Sequence, residues 1–192
     1  MYLHLTPTTM NPFSLAKKDY SEAKKHWLCT GCNRPFPNIG PIDVQIQNSK
    51  VQGPLNFIQG AGLGVAQKSF LIRLGKERVA RDLQLGAITS PAGPLSDWVT
   101  FVGRQHVLVR GSKNVSYRAC SSCGRTVYFA MGKHYLFPKP EACAEIYDSG
   151  WGGIVIPKEL STILGFEKDA GVLVETLEVL DEPCDGLPLL LP

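Results

Sequence analysis

Long hydrophobic runs are missing from this sequence. The most apolar stretches, GIVIP at 153–157 and LPLLLP at 187–192, are far shorter than the ~18 residues that a membrane-spanning helix needs. Charge is also scarce, with 19% of residues Asp, Glu, Lys or Arg against 44% hydrophobic. That balance excludes a disordered chain, which combines high charge with low hydrophobicity. No charged start followed by an apolar stretch and a small-residue cleavage site opens the chain. The expectation is therefore a cytoplasmic protein with no membrane partner, in a compartment where thiols stay reduced. Catalytic signatures are lacking too. No P-loop Lys-Ser/Thr follows the Gly60-x-Gly62-x-Gly64 run, and Asp97, His106 and nearby serines lack any nucleophile-elbow context.

What is abundant is chain-breaking residues. The 19 glycines and 14 prolines in 192 residues exceed ordinary usage, which argues against helix bundles and for short elements joined by turns. Alternation marks IDVQIQ (42–47) as a half-buried strand. PLNFIQ, LQLGAIT, SDWVTF, QHVLVR, NVSYRA, RTVYFA, GIVI and VLVETLEVL read as further strands, and Tyr2 to Leu5 supplies another. VAQKSFLIRL is expected to be a helix stopped by Gly75, KERVARDL a second, and PKELSTIL a third between Pro157 and Gly165. The fold class is thus α+β, a strand-rich single domain over 1–192.

Two cysteine pairs punctuate that pattern. Cys29-Thr-Gly-Cys32 and Cys120-Ser-Ser-Cys123 are CxxC turns with 87 residues between them. One such turn directs two thiolates at one metal, and a second facing it completes a tetrahedron. Gly124 follows the second pair and Asn33 the first, the residue types that best tolerate a left-handed backbone. The expectation is one structural zinc per chain held by Cys29, Cys32, Cys120 and Cys123. The first knuckle then spans 29–33, an insert 41–110, a zinc-ribbon-like hairpin 115–130, and a C-terminal strand-helix-strand 153–180. Ordinary ribbons separate their knuckles by only ~15–20 residues, so the insert must be a subdomain. Four thiolates leave no open coordination position, which points away from a zinc enzyme. His26 is expected nearby rather than in the ligand set, and Cys143 and Cys184 as buried free thiols.

The net charge of +3 conceals a division along the chain. Residues 51–140 carry 12 Lys and Arg against 3 Asp and Glu, whereas residues 141–192 carry 2 against 11. Either the two segments neutralise each other in the fold, or they form opposite faces of which one recruits a charged partner. Glu175, Glu178 and Asp181 are the candidate contacts on the acidic side. The aromatic and basic residues around the second knuckle raise the alternative of a nucleic-acid-binding ribbon, with Arg118, Arg125 and Lys133 as candidate phosphate contacts.

At its two cysteine pairs the chain resembles the myxobacterial double-CxxCG motif proteins, with Cys29-Thr-Gly-Cys32-Asn33 and Cys120-Ser-Ser-Cys123-Gly124-Arg125 in the places of that motif. The glycine turn at 60–64 and the late strand-helix-strand around 154–180 agree in layout, while Asn33 departs from the motif's glycine. The resemblance implies a cytoplasmic, non-enzymatic immunity protein that binds a cognate toxin and blocks it.

Overall fold

A computed structural model describes residues 1–8, 14, 16, 26, 28–32, 42–47, 53–58, 63–105, 107, 109–111, 117–124, 126–128, 134–136, 140, 143–149, 153–165 and 171–180. Strands dominate them. A six-stranded sheet has the order β11(Tyr147–Asp148)-β12(Ile154–Pro157)-β1(Tyr2–Pro7)-β13(Val172–Val179)-β10(His134–Leu136)-β7(Val109–Gly111). A five-stranded sheet has the order β2(Val44–Gln45)-β5(Leu83–Ser90)-β6(Gly93–Gly103)-β4(Leu63–Gln67)-β3(Leu55–Ile58). β8(Tyr117–Ala119) and β9(Thr126–Tyr128) form a separate antiparallel hairpin. Among the described residues three short helices accompany the sheets: α1(Lys68–Leu74), α2(Lys76–Asp82) and α3(Lys158–Leu164).

Strand alternation decides which faces meet. Leu3 and Leu5 of β1, with Ile154 and Ile156 of β12, pack against Leu55, Ala66, Val99 and Phe101 of the five-stranded sheet. Phe70, Leu71 and Leu74 of α1, Val79 of α2 and Leu160 of α3 join them. This is the main core, and each large side chain removed from water there contributes about 1.5–3 kcal/mol. The five-stranded sheet buries a second cluster on its other face, including Ile42, Val44, Ile46, Val65 and Val102. Leu28, one residue before Cys29, belongs to that cluster and is only 2% exposed. The other face of the six-stranded sheet holds Tyr2, Leu136, Tyr147, Val155 and Leu177.

The expected alternation at 42–47 is present: Ile42, Val44 and Ile46 are buried, and Asp43, Gln45 and Gln47 are exposed. Gly86 of β5 lets this segment approach, because a Cβ there would lie 1.9 Å from the Ile42 carbonyl oxygen, to which Thr100 also donates its hydroxyl at 2.5 Å. Helix α3 starts after Pro157 and ends at Gly165 in the left-handed conformation, as expected. Helix α1 begins three residues later than its spacing suggests. Val65 is instead a strand residue, drawn into β4 by pairing with Thr100 of β6. Gly64 likewise belongs to β4 rather than to a turn, under the ring of Phe101. Gly60 and Gly62 lie outside the described residues.

Candidate metal centre

The turn from Cys120 to Gly124 sits at the tip of the β8–β9 hairpin. Gly124 adopts φ 68° and donates its N–H to the Cys120 carbonyl at 2.8 Å, closing the turn. A side chain at that φ is strained, which accounts for glycine after the second pair. The first knuckle is held from the opposite side, since Leu28 anchors it in the outer core of the five-stranded sheet. The two turns thus face each other.

Their sulfurs converge. Cys29 Sγ lies 3.5 Å from Cys120 Sγ, and Cys32 Sγ lies 3.8 Å from Cys123 Sγ. All four are within 4.8 Å of one another. Sulfurs bound tetrahedrally at ~2.3 Å from a metal stand about 3.8 Å apart, so the cluster already has nearly the dimensions of a four-thiolate site. Cys29 and Cys120 are buried, while Cys32 and Cys123 are partly exposed. Burial pushes the Cys120 thiol up, yet the backbone N–H groups of Ser122 and Cys123 and the thiols of Cys29 and Cys123 outweigh it, bringing it down to about 6. A thiol so stabilised as thiolate is ready to bind a metal. The four cysteines therefore lie together in an arrangement that can hold a metal ion.

Gly31, inside the first pair, shows how tightly the turns oppose each other. A Cβ on it would lie 2.6 Å from Ser122 Oγ and 2.8 Å from Cys120 Sγ. Gly31→Ala must displace the second knuckle's sulfur and is expected to weaken metal binding about 10- to 100-fold, a range typical of changes that disturb ligand orientation. Competition with a chromophoric chelator measures this, and unchanged affinity would mean that the knuckles do not share one ion.

The remaining expected site residues are scattered. His26 is exposed and is not part of the sulfur cluster. Cys143 is exposed rather than buried, because it lies in a turn before β11 and not in a strand. Glu178 is exposed on β13. Glu175, on the same strand, is tied to His134 of β10: its carboxylate accepts from the His134 backbone N–H at 3.2 Å and lies 2.5 Å from Nδ1. Arg118 is a residue of β8. Asp97 is exposed on β6. Asn33, His106, Arg125, Lys133, Asp181 and Cys184 lie outside the described residues. The acidic end and basic middle do interlock where Glu145 bridges Arg78 at 3.1 Å and Arg81 at 3.0 Å.

A second group of ligating side chains carries no sequence motif. His4, His134 and Glu175 bring one donor atom each within 4.8 Å of the other two. His4 is 3% exposed, and burial, with the neighbouring His134, brings its pKa down to about 4 against the opposing pull of Glu175. The sole trace in the sequence is a histidine on the face of YLHLTP opposite Leu3 and Leu5.

Compared with known proteins, the chain matches no family model and no curated protein. Among the described residues no helix is long and apolar enough to cross a membrane.

Proposed function

We propose that the protein is a zinc-clasped, non-enzymatic binding protein of the cytoplasm that neutralises a cognate bacterial toxin by direct contact. The observation that carries the metal half is the sulfur spacing of 3.5 and 3.8 Å across the two knuckles. Zinc suits an all-thiolate tetrahedron, and such a site is closed to water and substrate. Its role is then to fasten the ribbon-like β8–β9 hairpin to the segment leading into the outer core of the five-stranded sheet.

The toxin half rests on the resemblance of the two cysteine pairs to the double-CxxCG immunity proteins. The acidic end of the chain supports it, since negative charge complements the basic cleft of a nuclease toxin. Reversing the charge at Glu178 and Asp181 is expected to weaken toxin binding about tenfold and to flatten its salt dependence. Glu175 is a poorer choice for that test because its reversal would also disturb the contact with His134. Affinity and salt dependence that both stay unchanged would remove the acidic end from the interface.

The wider test is native mass spectrometry of the protein purified from its own host, before and after chelation. One zinc and one partner protein at fixed ratio, with the partner toxic alone and harmless when the chain is added, is the expected result. Nucleic acid in place of a protein would instead favour a ribbon that binds phosphate through the basic middle, with affinity falling steeply with salt. A chain without zinc would overturn the clasp.

A further inference from the structure

Three adjacent strands of the six-stranded sheet present their ligating groups on one face. His4 of β1 is the cross-strand partner of Glu175 of β13. β10 runs parallel to β13 on its other side, with Leu136 opposite Val179. A period of two then puts His134 on the same face as Leu136, and Glu175 on the same face as Leu177 and Val179. That face is otherwise apolar, with Tyr2, Val155 and Leu177 packed around it.

His134 and Glu175 satisfy each other through two contacts. His4 does not share in this. Both of its ring nitrogens are buried without a hydrogen-bond partner, and its ring meets that of His134 only edge to face, with centroids 6.0 Å apart. Room for the imidazole is provided by Gly153, where a Cβ would lie 2.6 Å from His4 Nε2. Buried imidazole nitrogens ordinarily find a partner. An uncharged ring nitrogen beside a second imidazole and a carboxylate is a ligand set for a divalent cation of borderline softness.

We propose that His4, His134 and Glu175 form a second metal site, of two nitrogens and one oxygen, distinct from the four-cysteine centre and suited to a divalent d-block ion such as zinc. Donors bound at ~2.1 Å stand about 3.4 Å apart in a tetrahedron, so side chains already within 4.8 Å need only draw in slightly. Binding gives His4 its missing partner, and each imidazole keeps one N–H on the nitrogen that does not ligate. One carboxylate leaves the bound ion with net positive charge and at least one open position. The His134 and Glu175 side chains are 28% and 29% exposed, so a water or a small anion reaches the cluster from their side.

The test is zinc titration of the full-length protein, with metal counted by native mass spectrometry and affinity by calorimetry. Two zinc ions per chain are expected. His134→Gln and Glu175→Gln, both at half-exposed positions, are expected to keep one ion and bind the second about 100-fold more weakly or not at all. His4→Gln is expected to do the same, and the other two variants carry the test if it fails to fold. Cobalt distinguishes the sites: thiolate charge-transfer absorption marks the cysteine centre and is expected to be unaltered in all three variants. A wild-type chain that saturates at a single zinc, held at the cysteine centre, overturns the proposal. So does a second ion held with wild-type affinity by His134→Gln and Glu175→Gln.

Discussion

If the four cysteines hold the proposed zinc, Cys120→Ser is expected to release it and remove most of the protein's stability, lowering the melting temperature by well over ~10 °C. Structural zinc sites in small domains have apparent binding energies of about 10–16 kcal/mol at neutral pH. Whole domains are stable by only about 5–15 kcal/mol. A domain of this size shifts by about 2–4 °C per kcal/mol, so even partial loss of the metal term is large. Cys120 is the severest choice among the four. It is buried, 3.5 Å from Cys29 Sγ, and its sulfur accepts backbone N–H groups from its own turn. A serine oxygen there is both a poorer ligand and too short to reach the shared centre. Cys143→Ser supplies the control, because that thiol is exposed and outside the cluster; it is expected to change stability by less than about 0.5 kcal/mol. A Cys120→Ser protein that melts within a few degrees of wild type would show that the four sulfurs do not hold a metal that matters to the fold.

The four-cysteine cluster is legible because its information is local. Each CxxC turn is written in four consecutive residues, and Gly124 after the second pair announces the positive φ that the turn adopts. What could not be read is why the first pair has glycine at 31, since the reason is the sulfur of Cys120, far along the chain. The same limit applies to the fold. Alternation placed β2 within 42–47 and marked the strands of the late strand-helix-strand, because burial of one face follows from a period of two. It did not reveal that β1 lies between β12 and β13, which come from the other end of the chain. The spacing of Val65, Phe70, Leu71 and Leu74 taken together starts α1 too early, because pairing of β4 with β6 overrides it at Val65. His4 lay beyond reach for the same reason. Its neighbours His134 and Glu175 meet it only through sheet order.

Sheet order also determines where the acidic end and basic middle touch. Glu145, at the entry to β11, reaches Arg78 and Arg81 on α2, so the six-stranded sheet's edge is fastened to the helices of the other sheet. Surface ion pairs of this kind contribute little by themselves. Their partner beneath the surface is different, because Asp82 is 2% exposed and binds four donors.

Replacing Asp82 is therefore expected to be costly, in a way that depends on pH. Its Oδ1 accepts from Arg81 Nε at 2.6 Å, and Oδ2 accepts from Arg81 Nη2 at 2.7 Å. Oδ2 also accepts the backbone N–H groups of Glu145 at 2.9 Å and Ile146 at 3.0 Å. The carboxylate thereby joins the end of α2 to the chain entering β11. Asp82→Ala leaves two N–H groups and a guanidinium without their acceptor and is expected to destabilise by about 3–5 kcal/mol. Asp82→Asn keeps one oxygen but turns an amide donor toward Arg81, costing about 1.5–3 kcal/mol. Burial pushes the Asp82 carboxyl up, but the Arg81 hydrogen bonds, the two backbone donors and the Arg81 charge together hold it below the usual carboxylate range. Glu145 is held low by the same arginine, and Tyr147, which also faces Asp82, stays protonated, pushed up to about 12 by burial. A carboxyl with a lower pKa folded than unfolded adds stability that is complete above the unfolded value of about 4 and disappears as pH falls through the folded value. Urea unfolding of wild type and Asp82→Asn should therefore differ by a constant amount from pH 7 down to about 5, and the gap should begin to narrow below about 4. Release of any metal from the four-cysteine cluster in acid affects both proteins alike and cancels in the difference. A gap that persists undiminished at pH 3 would mean that Asp82 acts through shape and hydrogen bonding alone, without its charge.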